Sequence, residues 1–209
     1  MSITQYLNDR GFHFFEGNCQ EVPGQVEDFV NIVSNLTSNH SNSTKIKAME
    51  IGFNAGHSAE LFLKLHPHLT LTSFDLGEHS YHNYIHTSKE YIDITYPNRH
   101  TLILGDSNIT IPQYIRENSS PTNKFDFIFI DGGHDYPVAK ADMENCFHLA
   151  HPDTIVVIDD TIFRKDWEAG WTIGPTQTWN EHLAQNKIVE LGRNEYFAGR
   201  GMAWGKYLF

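Results

Sequence analysis

The sequence predicts one α/β domain: a doubly wound, mostly parallel sheet finished by an antiparallel hairpin. Three observations predict it. From residue 46 onward, short apolar runs alternate with helical patterns, as in strands joined by crossover helices. The runs are apolar at nearly every position, as expected of strands covered on both faces. The last two runs, 187–197 and 199–209, are joined by a tight Gly-containing turn and so pair antiparallel.

The elements follow in order. Residues 23–36 have amphipathic helical spacing, with Pro23 near the start, where its fixed φ suits a first turn. Residues 34–45, SNLTSNHSNSTK, are the most polar stretch and read as a surface connection. Residues 1–45 are therefore N-terminal cap helices and a connection, and 46–209 the core of a single domain. IKAMEI (46–51) is the first strand, and HSAELFLKL (57–65) a helix stopped by Pro67. LTLTSFD (69–75), TLILGD (101–106), FDFIFID (125–131) and TIVVIDD (154–160) are the next strands. Alternation places Phe125, Phe127 and Phe129 on one face of the fourth strand and Ile128 and Ile130 on the other. The segment 136–150 has helical spacing at Val138, Ala141, Met143, Cys146, Phe147 and Ala150.

Composition narrows the partners. The chain has 209 residues, 40% of them hydrophobic, enough for one cored domain. Fifteen Lys and Arg against 26 Asp and Glu give a formal charge of −11, with no basic cluster, so a nucleic-acid partner is not expected. No apolar run approaches the ~20 residues of a membrane span, and MSITQYLNDR has no signal-like apolar segment. These features predict a cytoplasmic protein with no membrane partner. Two cysteines, Cys19 and Cys146, make no scaffold and read as free buried thiols. His79, His82 and His86 have one-face helical spacing, but no cysteine stands near to complete a zinc site.

The chemistry concentrates at strand ends. Asp131 closes the fourth strand, and Asp159 and Asp160 close the fifth. If those strands are parallel neighbours, their ends lie roughly 4.8 Å apart, and three carboxylates converge on the sheet's carboxyl edge, where open α/β sheets bind ligands. A hard divalent cation is the simplest group to hold them together. His134, three residues past Asp131, is placed to act as a base, with Asp131 a second choice if it is not committed to the metal.

The other strand ends suit a nucleotide-like ligand. In EIGFNAGHS (50–58), Gly52 and Gly56 allow a tight turn and close approach of a ligand, and Asn54 stands where a third glycine is common. Asp75 ends the second strand, placed for a ribose diol. Asp106 and Ser107 follow the third, where polar atoms can read an adenine edge. Glu50, just before the glycines, would repel a pyrophosphate but suits a cationic amino-acid group. This favours S-adenosylmethionine over NAD.

On these motifs the chain resembles the class I S-adenosylmethionine-dependent methyltransferases, which have a Rossmann-like fold. It is most similar to metal-dependent O-methyltransferases of catechol and macrolide-sugar type. EIGFNAGHS, including Ser58, matches the cofactor loop, SFD the ribose acid, GDS the adenine turn, and IDGGH with IDD the metal positions. PGQVEDFV resembles a helix that covers the cofactor, which would place Gln25 near it. The resemblance implies that Asp131, Asp159 and Asp160 bind magnesium or manganese. An Asp at the third ligand position and His134 as base resemble the sugar-modifying branch; the catechol type usually has Asn and Lys there. The expected acceptor is a sugar diol on a small molecule or glycan, and the resemblance leaves homo-oligomerisation open.

Two alternatives remain. A catechol or phenolic acceptor is the nearer. A nicotinamide-dependent oxidoreductase is more remote: Glu50 and the incomplete glycine pattern oppose it, and no Tyr-x-x-x-Lys pair is placed for hydride chemistry. Trp167 and Trp171, just past Asp160, are either stacking faces for a sugar ring or core residues; Tyr81, Tyr84, Tyr91 and Tyr96 are either lid or core.

Overall fold

The computed structural model describes residues 1–37, 45–77 and 83–209. Among the described residues seven strands form one sheet: β1 (Ile46–Ile51), β2 (Leu69–Asp75), β3 (His100–Leu104), β4 (Phe125–Ile130), β5 (Ala150–Asp159), β6 (Ile188–Phe197) and β7 (Arg200–Tyr207), in the order β3-β2-β1-β4-β5-β7-β6. The first five are parallel; β7 pairs antiparallel with both β5 and β6. The chain winds outward from β1 to β3, then returns to lay β4 against the other side of β1. That reversal opens a crevice above β1 and β4 at the carboxyl edge, the place where such sheets bind ligands.

Helices cover both faces. On one lie α1 (Ile3–Asn8), α2 (Pro23–Thr37), α3 (His57–Leu65) and α4 (Ile85–Thr95); on the other α5 (Ser107–Glu117), α6 (Tyr136–Phe147) and α7 (Ile173–Ala184). The central strands β1 and β4 and the second half of β5 therefore bury both sets of alternating side chains, which is why those runs are apolar throughout. Phe127 and Phe129 face the first layer, where the rings of Phe29 and Phe62 meet them edge to face at 5.0–6.5 Å. Emptying one such position costs about 3–5 kcal/mol. Ile128 and Ile130 face the second layer with Met143 and Trp179.

Phe125 departs from the expected alternation. It joins the second layer and stacks on Tyr114 at 6.1 Å. The register between β4 and β5 slips between Phe125 and Phe127, so the strand's first residue does not follow the pleat of the rest.

The N-terminal segment is tied down by a buried carboxylate. Glu60 on α3 accepts hydrogen bonds from the Ile3 amide (3.0 Å), Tyr91 Oη (2.5 Å) and Gln20 Nε2 (3.0 Å). This fixes residues 1–20 against the first layer and carries residues 16–19 over the crevice. Cys19 and Cys146 are buried and unpaired. Tyr84 and Tyr91 are core residues, and Tyr96 packs against the same core. Tyr81, His79 and His82 lie outside the described residues; His86 is exposed on α4. Among the described residues no helix is long and apolar enough to cross a membrane.

Candidate active site

The β1–α3 turn makes the floor of the crevice. Gly52 has φ +96°, and a Cβ there would lie 1.9 Å from the Asp131 carbonyl oxygen. Only glycine lets this turn pass so close to the end of β4. Asn54 is also left-handed, at φ +47°. Its side chain donates to the Glu16 carbonyl and accepts from Tyr84 Oη, tying the turn to the N-terminal segment. Gly56 then starts α3.

Asp75 at the end of β2 organises this turn. Its Oδ2 accepts from the amides of Phe53 (2.9 Å) and Asn54 (2.8 Å), and its Oδ1 from Gly77 (2.8 Å). A carboxylate offers about four acceptor positions, so Asp75 both holds the turn and keeps room for one further donor. Asp106 caps α5 by accepting from the Asn108 amide at 2.9 Å.

Three of the expected cofactor residues, Gly56, Glu50 and Gln25, do not line the cleft or the recess beside it. Glu50 is completely buried beneath the turn and accepts from Ser73 Oγ at 2.7 Å; Ser73 Oγ also meets His100 Nε2 at 2.7 Å. Burial pushes the Glu50 carboxyl up to about 8 and the His100 imidazole down to about 4. Gln25 is likewise buried. Instead of facing the crevice, it donates from Nε2 to Asp159 Oδ1 at 2.8 Å.

The acids gather at the ends of β4 and β5. Asp131, His134 and Asp160 present ligand atoms within 4.8 Å of one another. Asp160 has φ +53°, a left-handed geometry rare outside glycine. The twist lets Asp159 and Asp160, adjacent in sequence, take separate partners. Asp160 Oδ2 pairs with His134 Nε2 at 2.9 Å, whereas Asp159 points back to Gln25. Asp159 is thus outside the close trio expected to include it, and His134 is inside. The Asp160 hydrogen bond raises the His134 pKa. Burial, with the neighbouring acids, raises those of Asp131 and Asp159.

Sequence reasoning missed Arg200. Its Nη1 lies 3.4 Å from Asp160 Oδ1 and 3.9 Å from Asp159 Oδ2. Antiparallel pairing of β7 with β5 delivers it across forty residues of sequence, and no local motif announces that. Even so, among the described residues Asp159 Oδ2, buried with its residue only 2% exposed, has no hydrogen-bond partner. Three clustered carboxylates share one guanidinium in a poorly solvated place, which is why burial and mutual repulsion favour the protonated forms of Asp131 and Asp159 when no cation is bound. That donor set, all hard oxygens plus one imidazole, fits a divalent cation.

Above the turn and the acids lies a cleft of about 860 Å³, lined among others by Gly52, Asn54, Asp75, Asp106, Ser107, Asp131, His134 and Asp160. A smaller recess beside it reaches Ser58, Cys19, Asp159 and Arg200. The walls come from both ends of the chain, residues 16–19 and 197–200. Trp171 lines the cleft, half exposed, its Nε1 donating to the Gly199 carbonyl at 3.0 Å. Trp167 does not line it and instead lies under the Arg164 guanidinium at 3.9 Å. Tyr136 and Lys140 have Tyr-x-x-x-Lys spacing, but both engage Glu181 and neither lines the cleft.

Residues 49–161, more than half of the chain, match the family described as a methyltransferase domain. The chain belongs to that family. No curated protein matches it in sequence. Among solved structures it is similar to CalS11, described as a TDP-rhamnose 3'-O-methyltransferase of calicheamicin biosynthesis (TM-score 0.62, 20% identity, 88% of this chain and 80% of that one). It is similar to TomG, an O-methyltransferase from Streptomyces achromogenes solved with SAM (TM-score 0.67, 13% identity, 99% and 88%). A third is MycE, a methyltransferase solved with Mg, SAH and mycinamycin VI (TM-score 0.57, 14% identity, 99% of this chain and 54% of that one). The sheet order and antiparallel last strands of this methyltransferase are those of the class I methyltransferase fold.

Proposed function

We propose that this methyltransferase moves a methyl group from S-adenosylmethionine to a hydroxyl of a sugar or glycoside, with a divalent metal at the acid cluster. The observation that carries the reading is the position of that cluster. Three carboxylates, two of them buried, stand beside the glycine turn: Asp131 and Asp160 line the same cleft as Asp75 and Asp106, and Asp159 lines the recess beside it. A capping role for the acids would not require Asp159 to be buried with an oxygen unpaired. CalS11, described as a TDP-rhamnose 3'-O-methyltransferase, lends the sugar reading support.

Each residue has a part. Asp75 would hold a ribose hydroxyl, while Asp106 and Ser107 would meet the adenine. Asp131 and Asp160 would ligate the metal, with Asp159 behind them oriented by Gln25 and Arg200. A bound divalent cation would neutralise these acids and lower the pKa of a chelated hydroxyl. The His134 imidazole would take the hydroxyl proton as the oxygen–methyl bond forms and the sulfonium–methyl bond breaks, with general-base help worth about 10²–10⁴-fold. The acids around the small recess would favour the positive charge of the sulfonium and its amino-acid tail.

The geometry also favours a second role for His134, as a ligand, because its ring nitrogen lies within the close trio. His134→Ala separates the two. A base lost from the site lowers turnover about 10²-fold or more and leaves metal affinity intact; a ligand lost lowers both.

Radiolabelled methyl transfer onto deoxyhexosides and catechols tests the whole reading. Activity on glycosides should vanish with chelator and return with magnesium or manganese. Full activity in chelator would leave the acids as structural groups. Methylation of catechols alone would move the acceptor to the phenolic class.

A further inference from the structure

Beside the acid cluster lies a second cavity, of about 390 Å³, whose walls include His13, Phe14, Phe15, Val22, Phe197 and Arg200. It shares Gly17, Phe197 and Arg200 with the main cleft, so the two spaces meet at the guanidinium that touches Asp159 and Asp160. Its size falls within the ~300–1,000 Å³ of small-molecule sites. Phe14 is 62% exposed and Phe197 49% exposed. Folded chains bury most large aromatic side chains, yet these two stay open on the wall of a concave space. Phe15 is held between them and the core, edge-on to His57 (5.2 Å) and Tyr84 (5.6 Å).

We propose that this cavity is a second acceptor subsite, taking an aromatic aglycone joined to the sugar whose hydroxyls meet the acid cluster. The proposal rests on the glycoside reading above. The chemistry selects an aromatic ring over two other occupants. An anionic group would face Glu21 on the wall and Asp159 and Asp160 next door, with the Arg200 charge already engaged by both. An alkyl group would gain burial only, whereas an aryl group also gains contact with phenylalanine rings and the flat guanidinium.

Binding tests this without any methyl transfer. Protein treated with chelator is titrated with 2-naphthyl rhamnoside, a deoxyhexoside whose fluorescence reports an apolar surrounding. Cyclohexyl and methyl rhamnosides compete against it. The naphthyl glycoside should bind about tenfold more tightly than the cyclohexyl one, and the methyl glycoside more weakly than either. Phe14→Ala should weaken naphthyl binding about tenfold and leave calorimetric SAH affinity unchanged, because Phe14 lines only this cavity. Phe197→Leu keeps bulk but removes the ring, and should narrow the gap between aryl and cyclohexyl glycosides. Equal affinity for these two glycosides, or naphthyl binding indifferent to both substitutions, would overturn the subsite. A naphthyl glycoside bound through Phe14 and Phe197 yet never methylated with metal restored supports the cavity and refutes the glycoside reading. Methylation that ignores the aryl group does the reverse.

Discussion

Glu50→Gln should flatten the decline of stability between pH 5 and pH 8. The carboxyl is completely enclosed and accepts a hydrogen bond from Ser73. Burial raises its pKa from 4.5 to about 8. Between those values the folded chain keeps the proton and the unfolded chain has lost it. More protons on the folded state mean that stability falls as pH rises. This group's favourable contribution is complete below about pH 4.5 and is gone once the pH passes about 8. Integrated from pH 5 to pH 8, the difference is about 3 kcal/mol. Glutamine keeps the shape and can accept the Ser73 hydroxyl, but it has no proton to lose. Asp142, raised by burial to about 7, adds a slope of the same sign that both proteins share. Urea unfolding of the two proteins at pH 5 and pH 8 measures the difference directly. The wild type should lose about 3 kcal/mol more than Glu50→Gln over that interval. Indistinguishable pH slopes would refute the reasoning and mean that Glu50 is charged inside the fold.

Gly52→Ala should destabilise the protein by about 2 kcal/mol or more and weaken SAH binding, because φ +96° disfavours a side chain and the Cβ would meet the Asp131 carbonyl; denaturation and calorimetry check the two effects. Asp75→Ala removes the acceptor for three backbone amides, so it should cost about 1–3 kcal/mol of stability and lower SAH affinity at least about tenfold. Unchanged affinity by calorimetry would take the ribose role away from Asp75.

The strand ends were legible because apolar runs stopped by acid have few other readings, and strand periodicity places neighbouring ends together. What stayed hidden needed a partner. Alternation alone puts Phe125 on the wrong face, because the slip that turns it lies in the pairing of β4 with β5, not in β4 alone. Helix α5 carries Pro112 and buries only Ile111, and α7 opens on Gly174-Pro175 among polar residues; neither has a clear apolar stripe. At the site, the residue types were readable but their aims were not. The resemblance puts Gln25 at the cofactor, and only a contact spanning 134 residues shows it holding Asp159. Nothing in the sequence IDD indicates that its last residue turns left-handed and separates the two acids.

The closing of the crevice by residues 16–19 and 197–200 bears on how this protein matures. Synthesis supplies the glycine turn, Asp75 and the acid pair well before the β6–β7 hairpin exists. Until that hairpin pairs with β5, Arg200 is absent from beside Asp159 and Asp160, and the cleft stands open on one side. A ligand that uses both walls binds only the finished sheet, so mass action stabilises that species and no earlier one. Cofactor added during refolding should therefore secure the hairpin, the final strands made, more than the five parallel strands that precede it.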